Sequence, residues 1–405
     1  MGKVAWPEKW RKNLYGSNGI MEGKMKKYTL DGTDEVELHI ARDQATIADE
    51  VCASVSEDSF VALVLIGGYG RGEGGYHWVD GKPAAYNDYD YFLVVRGMSH
   101  RKARLLQQQL QPLAHRLSEE IGVEVDLAVL RSEQLNRLPF TLMHSEMQWG
   151  HRVVAGDTRV LRSMPAMPFD QLGKGEFVRL MNNRGALLLL NAKQLASKGE
   201  DMEEADRAVF FKYLYKAVLA CGDALLAAND SYHPSYLEKL RRIQKLNDLP
   251  VKNFIDLYST AVEEKFHPDH GSDMGKNLKK WQNRVLVCWL NTLSYFESRR
   301  LGTEVSDWNR YSCADVPKGQ LESSSILRNL LISVRDFGIS HSFRHLHWSL
   351  LYPRERLIAV LPGLLSCTQA TSEIPRNFTV PLGMEMKRSW SESVELYLCA
   401  WGRYA

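Results

Sequence analysis

Apolar and polar positions follow two rhythms along this chain, and the rhythm changes near residue 165. In residues 41–56, Ala45, Ile47, Ala48, Val51 and Val55 fall at helical spacing and predict an amphipathic helix. Residues 60–66 are a continuous apolar run, read as a buried strand that stops at Gly67-Gly68. A polar stretch follows, with Asp80-Gly81 as a candidate hairpin tip between residues 77 and 85. A second strand then carries Asp88-Tyr89-Asp90. Residues 99–121 predict a helix, with Ser99 as N-cap, a leucine face and a kink at Pro112. Residues 123–129 alternate again, setting Val125, Leu127 and Val129 opposite Glu124, Asp126 and Ala128. A helical piece from about Ser132 and a last strand within residues 149–157 complete this part. Upstream, Val36, Leu38 and Ile40 alternate weakly and predict an edge strand in residues 28–40.

Two prolines and two glycines punctuate residues 163–175, which makes this the expected domain boundary. Beyond it the spacing is helical, over residues 177–196, 201–229, 235–246, 250–265 and 275–298. The expected organisation is a basic extension and edge element (1–40), an α/β domain with a small mixed sheet (41–162), a helical domain (176–300) and a C-terminal helical region (301–405).

The chain has 405 residues, enough for two or three domains. Its net charge of +2 gives no polyanion-binding signature, and no basic stripe with interleaved aromatics points to nucleic acid. No signal peptide is visible and no apolar run is long enough to span a membrane. Six widely separated cysteines without a CxxC pair read as reduced thiols in a cytoplasmic protein. Residues 1–27 hold seven basic and two acidic side chains, read as a solvated terminus, the alternative being an arm for an acidic partner or nucleic acid.

The chemistry concentrates between residues 60 and 130. Asp88 and Asp90 are two apart on a strand, so they share a face. Asp126 on the following strand is placed to join them. Oxygen ligands of this kind suit Mg²⁺ (or Mn²⁺), which completes its shell from water and substrate phosphates. Gly67 and Gly68 let backbone amides approach phosphate oxygens, and a helix beginning there would add its positive end.

These residues carry a resemblance. Gly-Gly-Tyr-Gly-Arg-Gly-Glu at 67–73, then Asp-Tyr-Asp at 88–90 on a strand, then Asp126, resembles the nucleotidyltransferase superfamily of DNA polymerase β. The glycine segment is most similar to that of the bacterial protein-PII uridylyltransferases and is also close to that of bacterial cyclic-oligonucleotide synthases. The likeness covers about residues 41–160, and the spacer from Gly68 to Asp88 is longer than the family's. It implies a nucleotidyltransferase domain followed by a helical wall. It implies an NTP substrate, two metal ions on Asp88, Asp90 and Asp126, and phosphate contacts from Gly67, Gly68 and Arg71. A lysine of the helical domain, Lys216 or Lys212, would touch the triphosphate. The implied activity is transfer of NMP to a small-molecule or protein hydroxyl. The alternatives are a nucleotide second-messenger synthase of bacterial defence and a decayed NTP- or partner-binding module. Arg71 has a second reading, a tie between the turn and Glu73.

Two histidine-rich stretches stand apart. His267, Asp269, His270 and Asp273 are metal ligands by type, but lie in a Pro/Gly loop. His341, His345 and His347 lack the glutamate of an HExxH zinc motif and are read as a packed or solvated cluster.

Overall fold

The structure is a computed structural model that describes residues 27–268, 275–313, 324–367, 374–385 and 389–404. The basic extension through residue 26 and residues 269–273 of the Pro/Gly loop lie outside the described residues. The described chain is mixed α/β, with a small mixed sheet and a helical C-terminal region. It divides into two compact units. One comprises residues 1–172 with Pro234–Tyr236 and Glu263–Pro268, and the other holds the remainder.

The first unit is built on a four-stranded sheet in the order β5-β4-β1-β6. Its strands are β1 (Phe60–Leu65), β4 (Tyr89–Val95), β5 (Val125–Arg131) and β6 (Arg152–Gly156). β1 runs antiparallel to β4 and β6, whereas β4 and β5 are parallel. Both faces are covered, which is why β1 reads as an unbroken apolar run. Leu63, Leu65, Tyr89, Tyr91 and Leu93 face one core with the helices α1 (Asp34–Ala53) and α3 (His100–Ile121). Ala62, Val64, Phe92 and Val94 face a second core with Leu135, Met147 and Leu161.

The edge strand expected in residues 28–40 is instead the start of α1. Thr33 caps the helix by accepting from the Val36 amide, and Asp34, Glu35 and Glu37 complement the positive helix end. Val36 and Ile40 are buried on the same stripe as Ile47 and Val51, so the period there is helical. Only Thr29 makes a sheet-like contact, a lone parallel bridge to Gly74. Ser99 caps α3 as expected, and the helix continues through Pro112. Gln107 of α3 donates to Leu127 O at 2.6 Å and accepts from Val129 N at 2.7 Å, occupying backbone groups of the edge strand β5.

The second unit is helical. Its long helices are α5 (Gly175–Lys198), α6 (Glu204–Ala228), α9 (Leu278–Leu301) and α14 (Pro353–Ser366). From Phe210 onward α6 is buried almost all round, which explains its weak amphipathic pattern. Trp289 of α9 is buried, donates to Met181 O at 3.1 Å and packs against Gly185 of α5, where any larger side chain would meet the indole. Among the described residues, no helix is long and apolar enough to cross a membrane.

Candidate functional site

Strand direction brings the acidic residues together. β1 ends where β4 and β5 begin, because β1 is antiparallel to β4 and β4 is parallel to β5. The glycine segment, Asp88, Asp90 and Asp126 therefore meet at one edge of the sheet. Asp90 pairs directly with Asp126 in the β4–β5 register, so their side chains leave the same face next to each other. Asp88 stands just before β4, two residues from Asp90 and on that face. Tyr89 and Tyr91 take the opposite face and are buried. The Tyr89 hydroxyl donates to Asp43 at 2.8 Å and the Tyr91 hydroxyl to Gln44 at 2.5 Å, both on α1. These bonds fix which side of β4 turns inward and so which side carries the aspartates. Burial holds both phenols well above the ordinary tyrosine pKa, so both remain donors at neutral pH. Asp88 and Asp90 are half-buried and Asp126 is exposed.

Gly67 abuts this face. Its φ of +66° lies in the left-handed region, and a Cβ there would stand 2.7 Å from the Asp90 carboxylate. The helix expected to begin at the glycines is short, α2 (Gly67–Arg71), and ends at Gly72 in the left-handed conformation. The amides of Gly70, Gly72 and Glu73 are spent on backbone carbonyls. Those of the first turn, Gly67, Gly68 and Tyr69, have no intrahelical acceptor by helix geometry.

The long spacer between Gly68 and Asp88 does not displace the carboxylates. It contains the hairpin β2 (Tyr76–Val79) and β3 (Lys82–Ala85), turned by Asp80 and Gly81, both at positive φ. Tyr69 closes its base. The buried hydroxyl donates to Gly75 O at 2.5 Å and accepts from the amides of Tyr86 at 3.0 Å and Asn87 at 3.3 Å. Asn87 Oδ1 accepts from the Gly75 amide at 2.6 Å. The residue preceding Asp88 is thus tied to the glycine segment across the excursion.

Arg71 is placed among carboxylates. Its side chain is 4% exposed, its Nη1 lies 3.1 Å from Glu146 and its Nε 3.8 Å from Glu73. That geometry matches the tie to Glu73; a phosphate would have to draw the guanidinium from both acids. Lys212 and Lys216 lie one turn apart on α6 of the second unit, each half-buried.

Sequence reasoning missed a different lysine. Lys265, in the Glu263–Pro268 segment of the first unit, places its Nζ 3.5 Å from where a Gly68 Cβ would stand. Its backbone carbonyl lies so close to Gly75 that a Cβ there would be 2.1 Å away. Its ammonium sits 4.8 Å from the centre of the Tyr236 ring, whose amide donates to Glu73 at 3.3 Å. The glycine segment therefore has the Asp90 carboxylate on one side and the Lys265 ammonium near Gly68. Almost 200 residues separate Lys265 from the turn in sequence, and no local pattern marks it. Comparison with known proteins returns no matching family, curated protein or solved structure.

Proposed function

We propose that this chain is a metal-dependent nucleotidyltransferase that moves NMP from an NTP to an acceptor hydroxyl and releases pyrophosphate. The observation that carries the reading is Asp90 in register with Asp126 on adjacent strands, with Asp88 two residues away and Gly67 against Asp90. Three carboxylates on one accessible face are a donor set of hard oxygens, which fits Mg²⁺ or Mn²⁺. Held by Asp88, Asp90 and Asp126, such ions would neutralise phosphate charge and lower the pKa of the acceptor hydroxyl.

The chain's own residues position the reactants. Gly67 and Gly68 keep the approach to the first-turn amides open for phosphate oxygens. Lys265 supplies a point charge beside them. The acceptor oxygen, its proton passing to solvent, bonds to the α-phosphorus in line as the bond to the bridging oxygen of the β-phosphate breaks and pyrophosphate leaves with that electron pair. Orientation and charge neutralisation contribute most of the rate. The acceptor is a small molecule or a protein side chain.

The test is incubation of the purified chain with each α-labelled NTP and Mg²⁺ or Mn²⁺, first alone and then with cell lysate. Labelled product and pyrophosphate only with lysate support the reading. Product from NTPs alone makes the chain a synthase joining nucleotides to each other. Absence of pyrophosphate under every condition refutes nucleotidyl transfer.

A further inference from the structure

We propose that His341, His345 and Glu385 of the second unit form a binding site for one transition-metal dication of the zinc class, separate from the carboxylate face of the first unit. His341 lies on α12 (Ile339–Arg344) and His345 follows its end; the His345 amide donates to His341 O at 3.0 Å, so one helical turn brings the two rings together. Their centroids are 4.7 Å apart. Glu385 arrives from 40 residues further on, just beyond the turn at Val380–Leu382. Its Oε1 is 3.2 Å from His341 Nδ1 and 3.1 Å from His345 Nε2. One ligand atom from each residue lies within 4.8 Å of the other two.

These separations suit a shared ion. Ligand atoms about 2.0–2.1 Å from a tetrahedral centre are about 3.3 Å from one another. As hydrogen bonds alone, the same contacts are overcommitted. His341, His345 and Arg344, the last at 3.0 Å, all converge on the single oxygen Oε1, which has two lone pairs. A dication between the three ligands replaces two of those donors with coordinate bonds. His341 is 7% exposed, and among the described residues its second nitrogen, Nε2, is buried with no hydrogen-bond partner.

The donor set gives the class of ion. Two imidazoles and one carboxylate select zinc-like ions over Mg²⁺ or Ca²⁺, which take oxygen ligands. The fourth position is left to water. Arg344 and Arg376 also approach Glu385, at 3.0 and 3.6 Å, but their side chains are 57% and 59% exposed and can swing into solvent. Functionally the ion would clasp the segment bearing Glu385 to the helical turn of His341 and His345.

The experiment is titration of the untagged full-length protein with Zn²⁺ by calorimetry, and with Co²⁺ followed by its visible absorption. One equivalent should show the intense bands of tetrahedral Co²⁺, apart from any ion taken up by the carboxylate face of the first unit. His345→Ala and Glu385→Gln should each weaken binding at least about tenfold. Glu385 is 31% exposed, so its variant is expected to fold. Asp88→Ala/Asp90→Ala should keep the tetrahedral equivalent with its bands unchanged. Arg344→Ala should bind as tightly or more tightly, having lost a competing cation. No stoichiometric uptake, or equal affinity in both ligand variants, would overturn the site.

Discussion

Both units gather acidic side chains, but they do so differently. In the first unit, strand register sets Asp90 beside Asp126 and alternation adds Asp88. Like charges directly opposite one another on a sheet destabilise it. In the second unit several buried acids are locked to cations. Glu297, fully buried, accepts from Arg300 through both oxygens at 2.7 Å and from Tyr311 at 3.0 Å. Asp223 and Lys239 form a buried pair at 2.7 Å. Asp336 is held by Arg335 through two contacts of 2.8 Å, by Tyr404 and by Arg403 at 3.3 Å. The second arrangement serves the fold. The first sets carboxylates side by side at a sheet edge, and it is the arrangement on which the proposed ion-binding centre rests. The same residue type should therefore give opposite readouts in the two units.

The largest contrast comes from Asp88→Ala/Asp90→Ala. Pyrophosphate release should fall by roughly a thousandfold or more, while the melting temperature changes little. Full activity in that variant would remove the mechanism. Glu297→Ala should do the reverse. It leaves the largely buried Arg300 without its bidentate partner and should lower unfolding free energy by about 3 kcal/mol, measured in urea. The specific activity of its folded fraction should match the parent's. An unchanged urea midpoint would dissolve the contrast.

Lys265→Ala sharpens the same comparison, because the residue stands beside the glycine segment yet lies far away in sequence. kcat/KM for NTP should fall about tenfold, mainly through KM, with partial rescue in Lys265→Arg. No change in KM would make Lys265 a packing residue only. The smallest effect concerns pH. Arg335 and then Tyr404 outweigh burial and hold Asp336 at about 2, below the ordinary carboxylate value. A depressed folded pKa stabilises above the unfolded pKa of about 4, and that stability is lost as pH falls toward 2. Asp336→Asn should therefore cost about 1 kcal/mol at pH 7, and the gap from the parent should close through that acid window.

Much of the site was legible in local pattern. The apolar run before Gly67, the Asp88/Asp90 spacing and the alternation around Asp126 all appear as strands or strand ends of one sheet edge. Asp80-Gly81 is the hairpin tip, and Ser99 is a cap. The start of α1 was misread, because Val36, Leu38 and Ile40 fit a period of two as well as they fit part of a helical stripe. Thr33 and the acidic first turn were the signal that would have decided it. Arg71 was ambiguous in sequence, and the structure sets it beside Glu73 and also Glu146, 75 residues away.

Sequence by itself determined most of the elements and the three aspartates offered for chemistry, since these follow from spacing and side-chain type within a few residues. Only the tertiary structure decided which of them meet. The Asp90–Asp126 register depends on the parallel pairing of β4 and β5. Lys265 reaches Gly68, and Glu385 reaches His341 and His345, through chain returns of nearly 200 residues and of 44 and 40 residues. Such contacts are set by how whole elements pack, and a local window carries no trace of them.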